Sequence, residues 1–78
     1  KKNADYATAA NLATAAMISI NDGKNSETDI QPDGLVKNEY IQYVPKSKSV
    51  KDGIFKITAV KDSVTVKIGD DTFYPKDK

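Results

Sequence analysis

The sequence predicts an α+β fold in which a long N-terminal helix packs on a small antiparallel three-stranded meander. Residues 3–22 form one alanine-rich stretch with no charged side chain between Asp5 and Asp22, which favours a helix. Residues 54–74 hold three short runs of β-branched and aromatic residues separated by turn formers, which indicates strands. Seventy-eight residues make one domain, 1–78. Its parts are a helix, a connecting loop with a short helical turn, and a sheet: 1–22, 23–52 and 53–75.

The helix is expected to begin at Asn3, a good N-cap residue, and to end before Gly23, which suits the left-handed C-cap conformation. Asp5 falls in the first turn, where its charge faces the positive end of the helix dipole. At about 100° per residue, one sector collects the side chains that we assign to the core. They are Tyr6, Ala9, Ala10, Ala13, Ala16, Met17 and Ile20, with Leu12 on the flank.

The opposite sector of the helix is uncharged as well, whereas a surface helix usually carries lysine and glutamate there. Its residues are Ala4, Ala7, Asn11, Thr14, Ala15 and Ile18. We interpret this sector as a subunit-packing surface, because small uncharged residues around most of a helix indicate packing on several sides. The alternative is an alanine-rich helix that is merely uncharged, with Ile18 under a loop.

The connection after the helix begins with residues 24–34, which are polar and rich in turn formers. We expect an irregular surface segment with Ile30 as its one apolar anchor. The sequence Pro32-Asp33-Gly34 predicts a turn that closes this segment.

Residues 35–44 are ambiguous, since their apolar side chains suit either a short helix or an alternating strand. A short helical turn over residues 35–42 is favoured. Pro45 then ends whatever precedes it, because the residue before a proline disfavours the helical conformation. Residues 46–52 form a loop rich in lysine and serine.

The predicted strands are Ile54–Val60, Val64–Ile68 and Thr72–Tyr74, joined by turns at Lys61-Asp62-Ser63 and Gly69-Asp70-Asp71. Alternation of apolar and polar residues assigns one face of the sheet to the helix. The residues of that face are Phe55, Ile57, Ala59, Val64, Val66, Ile68 and Phe73. Pro75 suits the end of an edge strand, where a missing N–H does no harm.

The composition argues against several classes of function. Twelve lysines against eleven acidic residues leave a formal charge of +1, too balanced for a nucleic-acid or acidic-membrane partner, and there is no arginine for bidentate phosphate recognition. The chain has no His, Cys or Trp, which removes Ser-His-Asp and Cys-His nucleophiles and zinc sites. A Lys–Ser pair needs a buried lysine, and the run Lys46-Ser47-Lys48-Ser49 looks solvated. We therefore expect no enzymatic activity, no cofactor and no small-molecule substrate.

Carboxylates and tyrosines offer two further candidate surfaces. The acidic sets, Asp22, Asn25, Glu27 and Asp29 in one place and Asp70-Asp71 in another, do not match the twelve-residue calcium loop. Capping of turns is the favoured role for them, and we expect no metal. The tyrosines, Tyr6, Tyr40, Tyr43 and Tyr74, could form a recognition surface. The favoured alternative is that they pack against the domain itself, with Tyr6 in the core and the other three half-buried.

The opening of the chain indicates a part of something longer. It begins with Lys1-Lys2, without an initiator methionine and immediately before a helix. No stretch is apolar enough to span a membrane. We therefore expect a soluble portion whose signal or membrane segment would lie upstream.

This organisation resembles the truncated soluble part of a type IV pilin or pseudopilin. The stretch NADYATAANLATAAMISIND looks like the C-terminal half of that family's long first helix. The segment GLVKNEYIQYVPK is similar to its leucine- and tyrosine-containing segment before the sheet, and the strands IFKITAV and VTVKI follow as in the family. The resemblance covers most of the chain as a pattern of organisation.

The resemblance implies a structural subunit of a cell-surface filament, anchored in the membrane before assembly and packed against copies of itself through its first helix. It implies helical head-to-tail assembly, with the sheet outward. The chain lacks the C-terminal disulfide loop and the Asp-Pro-Trp-Gly-like calcium segment of some members, which favours a minimal Gram-positive pilin. The alternatives are a pseudopilin of a secretion or DNA-uptake machine, and a secreted binding module that never assembles. Nothing in the residues chooses among adhesion, motility and DNA uptake.

A second resemblance is weaker. Phe73-Tyr74-Pro75-Lys76 looks like the Tyr-Pro-Lys motif of sortase-assembled pilins, in which the lysine forms an isopeptide bond between subunits. The motif is short, and the long uncharged helix does not fit the β-sandwich domains of that family.

Overall fold

A computed structural model describes residues 2–61 and 63–75 of the chain. Its elements in order are α1 (Lys2–Asn21), α2 (Pro32–Lys37), β1 (Phe55–Val60), β2 (Ser63–Ile68) and β3 (Asp71–Tyr74). The three strands form one antiparallel sheet in the order β1-β2-β3, and α1 packs mainly against β2 and β3. The α+β fold with a helix on a three-stranded meander is therefore confirmed.

Helix α1 begins one residue before Asn3, which therefore lies inside the first turn and is not the N-cap that the sequence suggested. Its end agrees with the prediction, because Gly23 adopts a φ of +88°. The Gly23 N–H donates to the Ile20 carbonyl (3.0 Å) and the Lys24 N–H to the Ser19 carbonyl (2.9 Å), which together form a Schellman motif. The buried Ser19 hydroxyl donates back to the Lys24 carbonyl (2.7 Å). These bonds satisfy carbonyls that a helix end would otherwise leave without partners.

The core lies between α1 and the inner face of the sheet, and small side chains in the middle of α1 let the sheet approach closely. Its members are Ala9, Leu12, Ala13, Ala15, Ala16, Ile30, Leu35, Phe55, Ile57, Val64, Val66, Ile68 and Phe73. Each large one contributes about 1.5–3 kcal/mol by leaving water. At one end of α1, the Tyr6 ring lies 5.1 Å from the ring of Phe73. The core sector predicted for α1 is buried or half-buried throughout.

Ala59 was expected to face the helix, but it is exposed. The reason is the position of α1, which packs mainly on β2 and β3 and leaves the end of β1 uncovered. The strand bounds otherwise differ from the prediction by one residue at their starts. The predicted turn at Lys61-Asp62-Ser63 includes Asp62, which lies outside the described residues. Lys76 of the Tyr-Pro-Lys motif also lies outside the described residues.

The predicted turn at Pro32-Asp33-Gly34 is wrong, since these residues form the first turn of α2. Proline is favoured there because its fixed φ is helical and its missing N–H is not needed. The helical turn expected over 35–42 is shorter, because Glu39 takes a φ of +67° and ends the helix. No residue from 35 to 44 lies in a strand. Ile30 is 1% exposed, which confirms it as the anchor of the connection.

Candidate functional site

One side of α1 remains uncovered by its own domain. Its residues recur every three or four positions, and we call them the helix stripe: Ala4, Ala7, Asn11, Thr14 and Ile18. All five belong to the sector predicted for subunit packing, and Ile18 is 49% exposed. Ala15, the sixth predicted member, is only 6% exposed and belongs to the core. The buried face of α1 is wider than predicted because α2 also packs on it, and Tyr40 and Ile41 pack against the core.

The helix stripe is less polar than its threonine suggests. The Thr14 hydroxyl donates to the Ala10 carbonyl (3.0 Å), one turn back in the helix. Next to the stripe, the Thr8 hydroxyl donates to the Ala4 carbonyl in the same way (2.9 Å). Because both hydroxyls are satisfied within α1, an approaching surface does not have to provide hydrogen bonds for them.

A groove runs beside the helix stripe and shares Asn11 with it. It has a volume of about 290 Å³ and is lined by Thr8, Asn11, Leu12, Ile41, Gln42, Tyr43 and Pro45. Tyr43 is 72% exposed, so the expectation that it would be half-buried is wrong, whereas Tyr6, Tyr40 and Tyr74 are half-buried. The stripe and the groove therefore form one uncharged surface with an exposed tyrosine at its border.

The acidic residue in the first turn of α1 does not add a charge to this surface. Asp5 is completely buried, because the loop after Pro45 folds over it. Its carboxylate accepts hydrogen bonds from the Lys48 N–H (2.7 Å), the Ser47 hydroxyl (2.7 Å), the Ser49 N–H (3.0 Å) and the Ser49 hydroxyl. We call this arrangement the Asp5 clamp. The lysines of the loop point to solvent while its serines are half-buried.

The Asp5 clamp also fixes the charge state of its carboxylate. Burial alone would raise the pKa of Asp5, but the hydrogen bonds donated by Lys48, Ser49 and Ser47 outweigh burial and lower it to about 2. Asp5 is therefore ionised at neutral pH, with its charge held inside the domain. As a result, no charged side chain reaches the surface of α1 between Asn3 and Asn21.

Sequence reasoning missed the Asp5 clamp, although a signal was present. Asp5 is the only charged residue between Asn3 and Asn21, and it lies one turn before the buried residue Ala9. A lone charge on the buried side of a helix requires a partner from elsewhere in the fold. Its partners lie more than forty positions away, and nothing local identifies them.

Two of the acidic residues that were weighed for calcium accept hydrogen bonds from neighbouring side chains. Asp22 accepts a hydrogen bond from the Tyr40 hydroxyl (2.6 Å), and the Asp29 carboxylate accepts one from Asn38 (3.4 Å). Within residues 2–61 and 63–75, no group of three or more His, Cys, Asp or Glu residues is arranged to hold a metal ion. Neither described helix combines the length and the apolar character needed to cross a membrane.

A scan against protein-family models and searches of curated proteins and of solved structures gave no match for this chain. The fold and the surface chemistry of the chain are therefore the observations that bear on its function.

Proposed function

We propose that this chain is a non-enzymatic structural subunit, a pilin, of an extracellular type IV pilus-like filament, in which α1 packs against neighbouring copies. The observation that carries the proposal is the uncharged helix stripe on a domain with 29% charged residues. In water, the exposed side of a helix ordinarily carries charged residues. Their absence along α1 is explained if a second protein surface covers the stripe.

The dimensions of α1 support packing along its length. Its twenty residues span about 30 Å, and the stripe extends from Ala4 near one end to Ile18 near the other. Small side chains permit close approach of a second helix, while the half-exposed Ile18 provides apolar area to bury. A contact between different surfaces of successive copies gives an open filament when its rotation does not close into a ring, and the proposal requires such a contact.

In this proposal the subunit acts at the cell surface and is held in the membrane before assembly by a segment outside the chain. Its partners are copies of itself, and it requires neither cofactor nor metal. The same surface would serve a pseudopilin of a secretion or DNA-uptake machine, whose fibre is shorter.

A secreted binding module that does not assemble is the second candidate. The groove beside the helix stripe favours it, because exposed tyrosines such as Tyr43 are common at binding surfaces. In that case the chain would remain monomeric in its native setting, and substitutions in the groove would affect binding of a partner without any effect on filaments.

Replacing Ile18 by glutamate in the filament-forming chain tests the proposal. Packing a carboxylate into the helix contact leaves it buried without a partner, at a cost of about 3–5 kcal/mol per contact. Filaments counted by electron microscopy should therefore be lost, while circular dichroism shows a folded domain because Ile18 lies outside the core.

Val60→Glu is the matched control, since Val60 is also 49% exposed but belongs to β1 and not to the helix stripe. It should assemble normally. Normal filaments from Ile18→Glu would overturn the helix contact. Ala15→Lys is not a suitable variant, because a lysine at this buried position would disrupt the core itself.

A further inference from the structure

Strand β1 forms one edge of the sheet. At the centre of the strand, the backbone N–H and C=O groups that face the open edge are hydrogen-bonded to a side chain. The Ile57 N–H donates to Gln31 Oε1 (2.9 Å), and Gln31 Nε2 donates to the Ile57 carbonyl. Both backbone groups of Ile57 therefore point away from β2. Because an antiparallel ladder alternates, the N–H and C=O groups of Phe55 and Ala59 point to the same open edge.

The carboxamide of Gln31 takes the place that a peptide group of a neighbouring strand would occupy, since it offers the same acceptor and donor. In the part of the chain that the structure describes, no other side chain donates to or accepts from this edge. Open spaces of about 250 and 310 Å³ lie on either side of Gln31. The first is bordered by Ala59 and the second by Phe55, so the edge is bridged only near its centre.

The two ends of β1 carry exposed apolar side chains. Ile54, just before the strand, is 75% exposed, and Val60, at its end, is 49% exposed. Natural edge strands are usually protected from pairing by charges, proline or covering segments. On β1, Lys56 is the only charged residue, so most of the protection has to come from Gln31 and its segment.

The edge of β1 is complementary to itself. An antiparallel pair of β1 strands with a two-fold axis at Ile57 places Ile54 opposite Val60 of the second copy, on the outer face. The same register places Lys56 opposite Thr58 of the second copy, so no like charges meet. It also pairs the backbone N–H and C=O groups that face the open edge, which belong to Phe55, Ile57 and Ala59 of each strand, and this gives six hydrogen bonds.

We propose that the edge of β1 is a latent strand-addition site for β1 of a second copy, and that Gln31 keeps it closed in the single chain. The second strand replaces the Gln31 carboxamide at Ile57. Residues 24–28, before Gln31, are exposed throughout and have to move outward, while the neighbouring Ile30 is 1% exposed and has to keep its place in the core. This pairing is two-fold and closed, so it neither requires the filament proposed above nor depends on it.

The first test compares the self-association of Gln31→Ala with that of the wild-type chain by analytical ultracentrifugation over a range of concentrations. Thr72→Ala is the matched control, because it removes an exposed polar side chain from β3, the opposite edge strand of the sheet. The Kd of Gln31→Ala should fall roughly 1,000-fold, the factor that corresponds to about 4 kcal/mol for the four hydrogen bonds, two in each copy, that the wild type gives up on pairing. Thr72→Ala should behave as the wild type.

The second test fixes the register, and it uses the fact that the chain contains no cysteine. Lys56→Cys and Thr58→Cys are each introduced into Gln31→Ala, and the two proteins are oxidised separately and as a mixture. Position 56 of one copy lies directly opposite position 58 of the other in a non-hydrogen-bonded pair, with Cα atoms about 4.5 Å apart. A disulfide dimer should form mainly in the mixture.

A folded Gln31→Ala that associates no more than the wild type overturns the proposal, and equal cross-linking in the separate and mixed samples overturns the register. If Gln31→Ala does not fold, Gln31→Glu replaces it, because its carboxylate still accepts from the Ile57 N–H and loses only the donor. A Gln31→Glu that remains monomeric, or that does not fold either, also counts against the proposal, since the edge could then not be opened within a folded domain.

Discussion

Replacing Asp5 by asparagine tests whether the Asp5 clamp stabilises the fold through the ionised carboxylate. The pKa of Asp5 falls from 3.8 to about 2 because the Lys48 N–H and the serines of the loop stabilise the charged form more than burial destabilises it. At about 1.4 kcal/mol for each unit of pKa, this difference is worth roughly 2.5 kcal/mol. The loop residues that bond to Asp5 are themselves half-buried or exposed, and screening by the nearby solvent reduces the value to about 1–2 kcal/mol.

The sign of the pH dependence follows from the lowered pKa. In the folded state Asp5 holds its proton less tightly than in the unfolded chain, so the clamp stabilises the fold fully above the unfolded pKa of 3.8. The contribution is lost as the pH falls through the folded pKa of about 2. Acidification across this window should therefore weaken the wild type more than Asp5→Asn, which has no proton to gain at this position.

Urea denaturation at a series of pH values measures the effect as the difference in unfolding free energy between the wild type and Asp5→Asn. That difference should shrink by about 1–2 kcal/mol between neutral pH and about pH 2. A constant offset is also expected, because the asparagine amide has to face the donors of the loop.

The control is Asp70→Asn, at an exposed position in the turn between β2 and β3, which should keep the acid-induced loss of the wild type. If the difference between wild type and Asp5→Asn is the same at every pH, the carboxylate does not stabilise the fold through its charge, and the reasoning is refuted.

Two further predictions each compare a pair of substitutions, the first for stability and the second for the pKa of Tyr40. Gly34→Ala should destabilise the domain by about 2–3 kcal/mol, because a Cβ there would lie 2.3 Å from the Thr28 carbonyl oxygen. Gly23→Ala should cost only about 1 kcal/mol, since its Cβ meets nothing within 4 Å and only the left-handed backbone opposes it. Urea denaturation measures both, and equal losses would contradict the packing argument. The hydrogen bond to Asp22, with smaller effects of burial and of the charges of Asp22 and Asp29, raises the pKa of Tyr40 above 10.0. Asp22→Asn should lower that pKa more than Asp29→Asn does, as followed by tyrosinate absorbance; no change in either variant would exclude this coupling.

The elements whose pattern is local could be predicted from the sequence within about one residue. Strict alternation of apolar and polar side chains defined β2 and its buried face, since one face of a sheet must be apolar. The alanine content and Gly23 defined α1 in the same way. In each case the information lies within a few neighbouring residues.

The features that the sequence did not predict depend on contacts between distant segments. Pro32-Asp33-Gly34 suits a turn and the start of a helix equally, and its packing beside β1 decides between them. Ala59 follows the alternation of its strand, but α1 does not reach it. The partners of Asp5 and of Gln31 come from segments far along the chain, so nothing local identifies the groups to which they are hydrogen-bonded.

Helical periodicity led both to the correct prediction of the exposed helix stripe and to the wrong assignment of Ala15. Helical periodicity identifies which residues share a side of α1, and five of the sector are exposed as expected. Periodicity does not determine how far neighbouring segments extend around the helix. That extent depends on where α2 and the segment after it pack, which is determined by tertiary contacts and not by the local sequence.

The bond between Gln31 and Ile57 also bears on how the assembly of this chain could evolve. Where one side chain makes the central hydrogen bonds to an edge, a single substitution removes those bonds, although the segment that carries the side chain still has to move before a second strand can pair. Selection on such a chain would act on position 31 as a determinant of oligomeric state, independently of the core. Drift at this position would then separate lineages that pair through their strands from lineages that do not.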